Sequence, residues 1–323
     1  MSMFFGGAGA WIIAKWGIKL SLLDKPNSRS SHNIPTPKGG GIGLLAAFLF
    51  SSFFTGIPHW FWVPAVSVSF LGLFSDRIEI SPRYRLLIQF IAAMTLIYFN
   101  LQYAQPNTSS FLTNFSIPLL LLLSIFIVGT TNFYNFMDGI NGIASITGVV
   151  GFGLLAFYAY YSETNTDFVT LAICISFACL GFLPFNIPKA KVFMGDVGSI
   201  LLGFVFAGTV VYLSKSFLDF VCAASFLFPF YADELTTLVV RIKDGDRLTR
   251  PHRRHLYQLL ANEYGIEHWQ VSLGYGLSQL IIGVSILLIK KIGILAVISA
   301  LLFYFCCFIG MSCAVRGKLL QKI

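Results

Sequence analysis

Apolar residues run along this chain in long stretches, and polar positions gather in the short intervals between them. A bilayer-spanning helix needs roughly 20 mostly apolar residues, and stretches near that length recur from end to end. The pattern predicts eleven helices, over 3–22, 41–57, 60–75, 84–103, 115–133, 142–161, 167–185, 197–214, 217–240, 270–289 and 292–313. Pro64, Pro118 and Pro229 interrupt three of them. Trp60, Trp62 and Trp269 stand at predicted helix ends, where aromatic rings favour the membrane–water interface. The opening "MSMFFGGAGAWIIAKWGIKL" reads as a first membrane helix. A cleavable signal peptide carries its positive charge before the apolar core, whereas Lys15 and Lys19 follow it.

Composition agrees. Of 323 residues, 56% are hydrophobic and 11% charged, against about 25% charged in soluble domains; the mean hydropathy is +0.77. The expected fold is an all-α polytopic membrane protein, one integral-membrane unit over 1–323 with no soluble domain. The six cysteines lie in or at the ends of apolar segments without paired metal spacing, so they read as buried free thiols.

Charge then orients the chain. Seventeen Lys and Arg residues fall in the intervals 23–40, 76–85, 186–196 and 241–269 and in the C-terminal tail, against Lys215, Lys290 and Lys291 on the other side. Positive loops stay in the cytoplasm, so the N-terminus is expected outside and the C-terminus inside. Attraction to anionic lipid accounts for much of that charge. It does not account for Asp76, Asp138, Asp196, Asp244, Asp246 and four of the five histidines sharing the same side. A transporter would keep ionisable groups near the bilayer midplane; here only Asp233 and Glu234 approach it.

Candidate chemistry sits in those loops. "TNFYNFMDGINGIA" spaces Asn132, Asn135, Asp138 and Asn141 three apart, with Gly139 after the aspartate and Gly142 after the last asparagine. Amides and a carboxylate in this array suit either a polar ligand's edges or a helix-capping turn, and spacing alone leaves both open. "FNIPKAKVFMGDVGS" adds Asn186, Lys191 and Asp196. Asp196 either answers a helix dipole or holds Mg²⁺, which typically takes one or two carboxylates plus substrate phosphates and waters. "LFSDRIEISPRYR" places Asp76 before Arg77, Arg83 and Arg85, and "DGDRLTRPHRRHLYQ" packs Arg250, His252, Arg253, Arg254 and His255 together. Arginine grips phosphate oxygens bidentately. A zinc pair at His252 and His255 lacks Cys or Glu partners at metal spacing. "DKPNSRSSHNIPTPKGGGIG" brings Arg29, His32 and Lys38 without the spacing of a Walker loop. Taken jointly, these loops describe one cytoplasmic pocket suited to phosphoryl transfer, where catalysis is chiefly positioning and charge neutralisation.

At "KGGGIG", "SDRIEISPRYRLLIQ", "NFMDGINGIA", "FNIPKAKVFMGDVGSILLG" and "RPHRRHLYQ", in that order, the chain resembles the polyprenyl-phosphate N-acetylhexosamine-1-phosphate transferases. That family includes phospho-N-acetylmuramoyl-pentapeptide translocase, and the late "HRRHLYQ" looks closer to the branch initiating O-antigen. The resemblance implies attack by undecaprenyl phosphate on the β-phosphorus of a UDP-N-acetylhexosamine, with loss of UMP. It implies Mg²⁺, with Mn²⁺ as a substitute, at Asp196 and Asp76. The expected catalytic groups are Asp76, Asp138, Asp196 and His255. Those expected to bind substrate are Lys38 for the carrier phosphate, with Asn132, Asn135, Asn141, Asn186, Lys191, Arg250, His252 and Arg253. The lipid bilayer is a partner, a nucleic acid is not, and a homodimer is left open; the location is the bacterial cytoplasmic membrane. The family usually has paired aspartates after the third helix, where this chain reads Ser75-Asp76. A carrier phosphate with a second pKa near 6 is largely dianionic at neutral pH, which puts the need for a general base in doubt. The rival expectations are a transporter or flippase, and a lipid-binding scaffold.

Overall fold

A computed structural model describes residues 1–26, 31–32, 34–78, 80–103, 117–162, 165–247 and 252–320. Among them the chain is helical apart from one small hairpin. The first half holds α1 (Ser2–Trp16), the strands β1 (Leu23–Asp24) and β2 (Thr36–Pro37), then α2 (Ile42–Phe54), α3 (His59–Arg77), α4 (Pro82–Tyr103), α5 (Ile117–Phe136) and α6 (Ile143–Tyr161). The second half holds α7 (Thr166–Phe182), α8 (Asp196–Leu213), α9 (Phe217–Ala224), α10 (Phe228–Lys243), α11 (Leu256–Asn262), α12 (His268–Ile289) and α13 (Ile294–Leu320).

Each of the eleven predicted segments is helical, with different bounds. Seven described helices (α4, α5, α6, α7 with the short turn after it, α8, α12 and α13) are long and apolar enough to cross a membrane. α2, with 13 residues, is shorter than a full span needs. The predicted ninth helix is two: a 3-10 turn at Ser225–Leu227 separates α9 from α10, and Pro229 stands in the first turn of α10. Proline cannot donate within a helix but fits its first turn, where the N–H would lack a partner. The interval 241–269 holds α11, and 23–40 holds the hairpin; neither followed from hydrophobic periodicity.

α8 is the axis of the bundle. Nearly every side chain along it is buried, against α3, α5 and the neighbouring helices. Small residues let backbones meet where no hydrophobic driving force separates protein from lipid: a methyl group on Gly9 of α1 would strike the backbone of Gly43 in α2. α13 is at the opposite extreme. Leu295, Leu302, Phe303 and Met311 are exposed along it, as expected of a helix whose solvent is lipid.

Candidate active site

At one end of the bundle, the intervals after α1, α3, α5, α7 and α10 converge. Backbone pairing joins two of the sequence motifs directly. The Phe193 N–H donates to the Pro37 carbonyl at 2.8 Å, Gly40 N–H to Phe193 O at 2.9 Å and Gly41 N–H to Met194 O at 2.8 Å. "KGGG" therefore lies alongside "FMGD", and Lys38 arrives with its Nζ 3.8 Å from Asp76 Oδ1. The two strands that the first loop contributes keep it in this place (Leu23 pairs with Pro37, Asp24 with Thr36).

The Asp196 carboxylate does not cap its own helix. Asp76, buried at the end of α3, accepts from the backbone N–H of Asp196 at 3.1 Å and of Val197 at 3.2 Å. This cross-helix cap satisfies two of the first N–H groups of α8 and leaves the Asp196 side chain for the cavity. Asn135 Nδ2 donates to Asp196 Oδ1 at 2.9 Å and to Ser199 Oγ at 2.8 Å. Arg85 Nη1 lies 3.0 Å from Asp196 Oδ2. Both oxygens are thus oriented from opposite sides.

The convergence encloses a cavity of about 280 Å³. Of the residues expected from sequence, Lys38, Asp76, Asn135 and Asp138 line it, as do Asn141, Asn186 and Asp196. Asp138 is half-buried, and among the described residues no donor reaches its carboxylate. Burial, then the nearby Asp196 and Asp76 carboxylates, raise its pKa well above the ordinary carboxylate value. Asn186 ties two loops: its Oδ1 accepts from Gly142 N–H at 2.5 Å and its Nδ2 donates to Val192 O at 2.9 Å. Asn141 is held by its backbone N–H on His268 Nδ1 at 3.3 Å and by its amide on Pro188 O at 3.2 Å.

Other expected residues lie apart from the lining. Asn132, one turn back on α5, donates to Gln89 Oε1 at 2.7 Å and Val128 O at 2.8 Å. Lys191 is exposed. Arg253 pairs with Glu263 at 3.1 Å, and Arg250 lies outside the described residues. His252 is half-buried; burial, then the His255, Arg241 and Arg254 charges, lower its pKa to about 4 and keep it neutral. His255 is 3% exposed, with Nδ1 3.7 Å from Asp233 and Nε2 3.6 Å from Glu234. Burial works to lower its pKa, but the two carboxylates outweigh that and raise it.

Sequence reasoning gave no site role to Asp24, Gln258 and His268, which also line the cavity, named His32, another lining residue, only with Arg29 and Lys38 in the first loop, and treated Arg85 as one of several loop charges. Only its contact with Asp196 distinguishes it. Asp233, the nearest approach to a midplane carboxylate, is spent on structure: it accepts from the N–H groups of Leu256 at 2.8 Å and Tyr257 at 3.2 Å and from the Tyr275 hydroxyl at 2.7 Å.

Among the described residues no three of His, Cys, Asp and Glu form a closed metal cage. The donors do fit an ion that keeps waters and shares substrate oxygens: Asp196 and Asp138 turn carboxylates to the cavity, and Asp76 retains a lone pair on each oxygen after capping α8. Lys38 and Arg85 border them with positive charge. The arrangement can gather phosphate oxygens around a few carboxylates while backbone packing keeps every group in place.

The model for "Glycosyl transferase family 4" matches residues 59–214, which spans α3 to the end of α8. The chain is 26% identical to the "Probable undecaprenyl-phosphate N-acetylglucosaminyl 1-phosphate transferase" of Bacillus subtilis, over 87% of this chain and 80% of that protein. It is 27% identical to the undecaprenyl-phosphate alpha-N-acetylglucosaminyl 1-phosphate transferase of Thermotoga maritima, over 79% of this chain and 78% of that one. It is 34% identical to the phospho-N-acetylmuramoyl-pentapeptide-transferase of Staphylococcus saprophyticus, over 53% of this chain and 56% of that one. The matched region holds the Asp76, Asp138 and Asp196 turns, so it is over the helices that carry the site that the chain is similar to glycosyl transferase family 4.

Proposed function

We propose that the protein transfers an N-acetylhexosamine 1-phosphate from a UDP-sugar to undecaprenyl phosphate at the cytoplasmic face of a bacterial inner membrane, starting a lipid-linked glycan such as O-antigen. An oxygen of the carrier phosphate attacks the β-phosphorus of the donor. The bond from that phosphorus to the bridging oxygen breaks, and UMP leaves with the bridging oxygen. The observation that carries this reading is the convergence of Asp76, Asp138 and Asp196 with Lys38 on one cavity, with Arg85 paired to Asp196 beside it. The names of the relatives, all sugar-phosphate transferases, support the reaction class.

In this proposal Lys38 and Arg85 hold phosphate oxygens, a role suited to groups whose partners in the free protein are carboxylates. Asn135 keeps Asp196 in its rotamer. Asn141 and Asn186 shape the polar wall met by the nucleotide. Asp76 works by holding the start of α8 in place, which suits a carrier phosphate that is itself dianionic at neutral pH. Arg253 supplies positive charge that attracts the diphosphate, and the neutral His252 offers it a hydrogen bond. Mg²⁺, held by Asp196 and Asp138 with Asp76 adjacent, would neutralise charge on the transferring phosphoryl group.

Membranes containing the protein, given undecaprenyl phosphate, Mg²⁺ and UDP-GlcNAc, UDP-GalNAc or related UDP-sugars, are expected to release UMP and form a lipid-linked sugar diphosphate. Turnover unaffected by a chelator would remove the metal from the proposal. Absence of UMP release with every donor, or lipid flux in vesicles without UMP, would overturn the transferase reading.

A further inference from the structure

The late basic motif, whose Gln258 lines the cavity, meets the turn that carries Asp138 through one tyrosine. Tyr257, in the first turn of α11, is fully buried, and its hydroxyl donates to the Phe136 carbonyl at 3.0 Å. Phe136 ends α5, two residues before Asp138. The same hydroxyl is packed on Gly139: a methyl group there would run into it, with the ring carbon behind it 3.1 Å away. Tyr257 has little freedom of its own. Asp233 accepts the N–H groups of Leu256 and Tyr257, while Tyr275 donates to the same carboxylate and His255 lies between Asp233 and Glu234. A chain of contacts thus runs from Asp233 through the start of α11 and the Tyr257 hydroxyl to the turn that carries Asp138.

We propose that Tyr257 is a positioning residue for Asp138, and that Asp233 and His255 serve the site by anchoring it. The inference rests on the transferase reading above in taking a uridine nucleotide as the cavity's ligand. A buried hydrogen bond of ordinary strength corresponds to roughly a fivefold change in an equilibrium, which is the scale expected when this one is lost.

The test measures labelled UMP binding by equilibrium dialysis on the purified full-length protein with Mg²⁺. Tyr257→Phe, which removes only the hydroxyl, is expected to weaken UMP binding roughly fivefold. In an Asp138→Asn background the same change should have less than about a twofold effect, since coupled residues are not additive. A second pair uses packing: Gly139→Ala should weaken binding strongly, and adding Tyr257→Phe should restore part of it by removing the atom that the methyl group meets. Equal factors with and without Asp138 would overturn the inference, as would a Gly139→Ala defect made worse by Tyr257→Phe, or wild-type binding in Tyr257→Phe. UMP failing to bind the wild-type protein would overturn the transferase reading together with this one. Binding that depends on Asp138 but not on Tyr257 would overturn this one alone.

Discussion

Asp76 and Asp196 are joined across 120 residues, the side chain of one capping the backbone of the other: Asp196 N–H donates to Asp76 Oδ1 at 3.1 Å. The two carboxylates belong to motifs far apart in the chain, and this bond gives them separate tasks. Asp76 faces the helix and Asp196 faces the cavity. Placing two negative groups close together is costly unless donors intervene. Here the positive end of α8 lies on one side, and Lys38 and Arg85 lie on the other.

Asp76→Asn is therefore expected to damage stability as well as turnover. The amide keeps one acceptor but turns an N–H₂ group toward the helix N–H groups of α8. Loss of a cap costs roughly 1–2 kcal/mol, which a thermal melt in detergent reads as a fall of several degrees. UMP release should drop at least about a hundredfold, the scale of losing a positioned catalytic group. An unchanged melting temperature with lost activity would make Asp76 a purely chemical residue.

Gly195→Ala tests the same joint from the other side. Gly195 has φ +75°, a conformation that glycine adopts far more readily than alanine, and an added Cβ would lie 2.6 Å from Asp76 Oδ2. A destabilisation of about 1 kcal/mol or more and loss of most UMP release are expected. Circular dichroism melts and the release assay check the two parts.

Much of this was legible in the sequence. The eleven apolar runs found the helices, and the loop motifs found Asp138, Asp196 and Lys38 because glycines and polar groups break an otherwise apolar pattern. What periodicity could not supply was pairing. That Asp76 rather than Asp196 caps α8, that Arg85 rather than Arg77 meets Asp196, and that His255 turns toward Asp233 all depend on contacts between distant segments. The hairpin was missed because each strand has only two residues, and α11 because seven residues in a basic loop carry no clear amphipathic signal.

Arg85→Ala should separate metal binding from turnover. The guanidinium, 3.0 Å from Asp196, competes with any cation for that carboxylate. Its removal should lower the Mg²⁺ concentration for half-maximal activity while cutting kcat at least about tenfold, the scale of one charge-assisted bond to a phosphate. A rise in the Mg²⁺ requirement would assign Arg85 to support of the ion instead.

The opposite end of the bundle offers a control. Asp219 Oδ1 is 2.6 Å from Lys290 Nζ, and the Tyr158 hydroxyl donates to it, also at 2.6 Å. Lys290 follows 22 residues of α12 that begin at the cavity, roughly 30 Å away at 1.5 Å per residue. Asp219→Asn should destabilise the fold by about 1–3 kcal/mol through a weakened partly buried network, read as a lower melting temperature, with kcat changed less than twofold. A large loss of kcat at unchanged stability would mean that this cluster communicates with the site.

The crowding of Asp138 with Asp196 and Asp76 predicts a proton linked to metal binding. Burial and those two carboxylates raise the Asp138 pKa, so there is a pH range, above the ordinary carboxylate value and below the raised one, in which the free site holds a proton that an isolated aspartate would have lost. A divalent cation favours the ionised form and expels that proton. Mg²⁺ affinity should therefore rise with pH through this range, and titration calorimetry in two buffers of different ionisation enthalpy should show about one proton released for each ion bound. Asp138→Asn removes the titrating group while leaving the Asp76 cap in place. It should flatten the pH dependence and abolish the buffer difference; persistence of both would assign the proton to another carboxylate of the site.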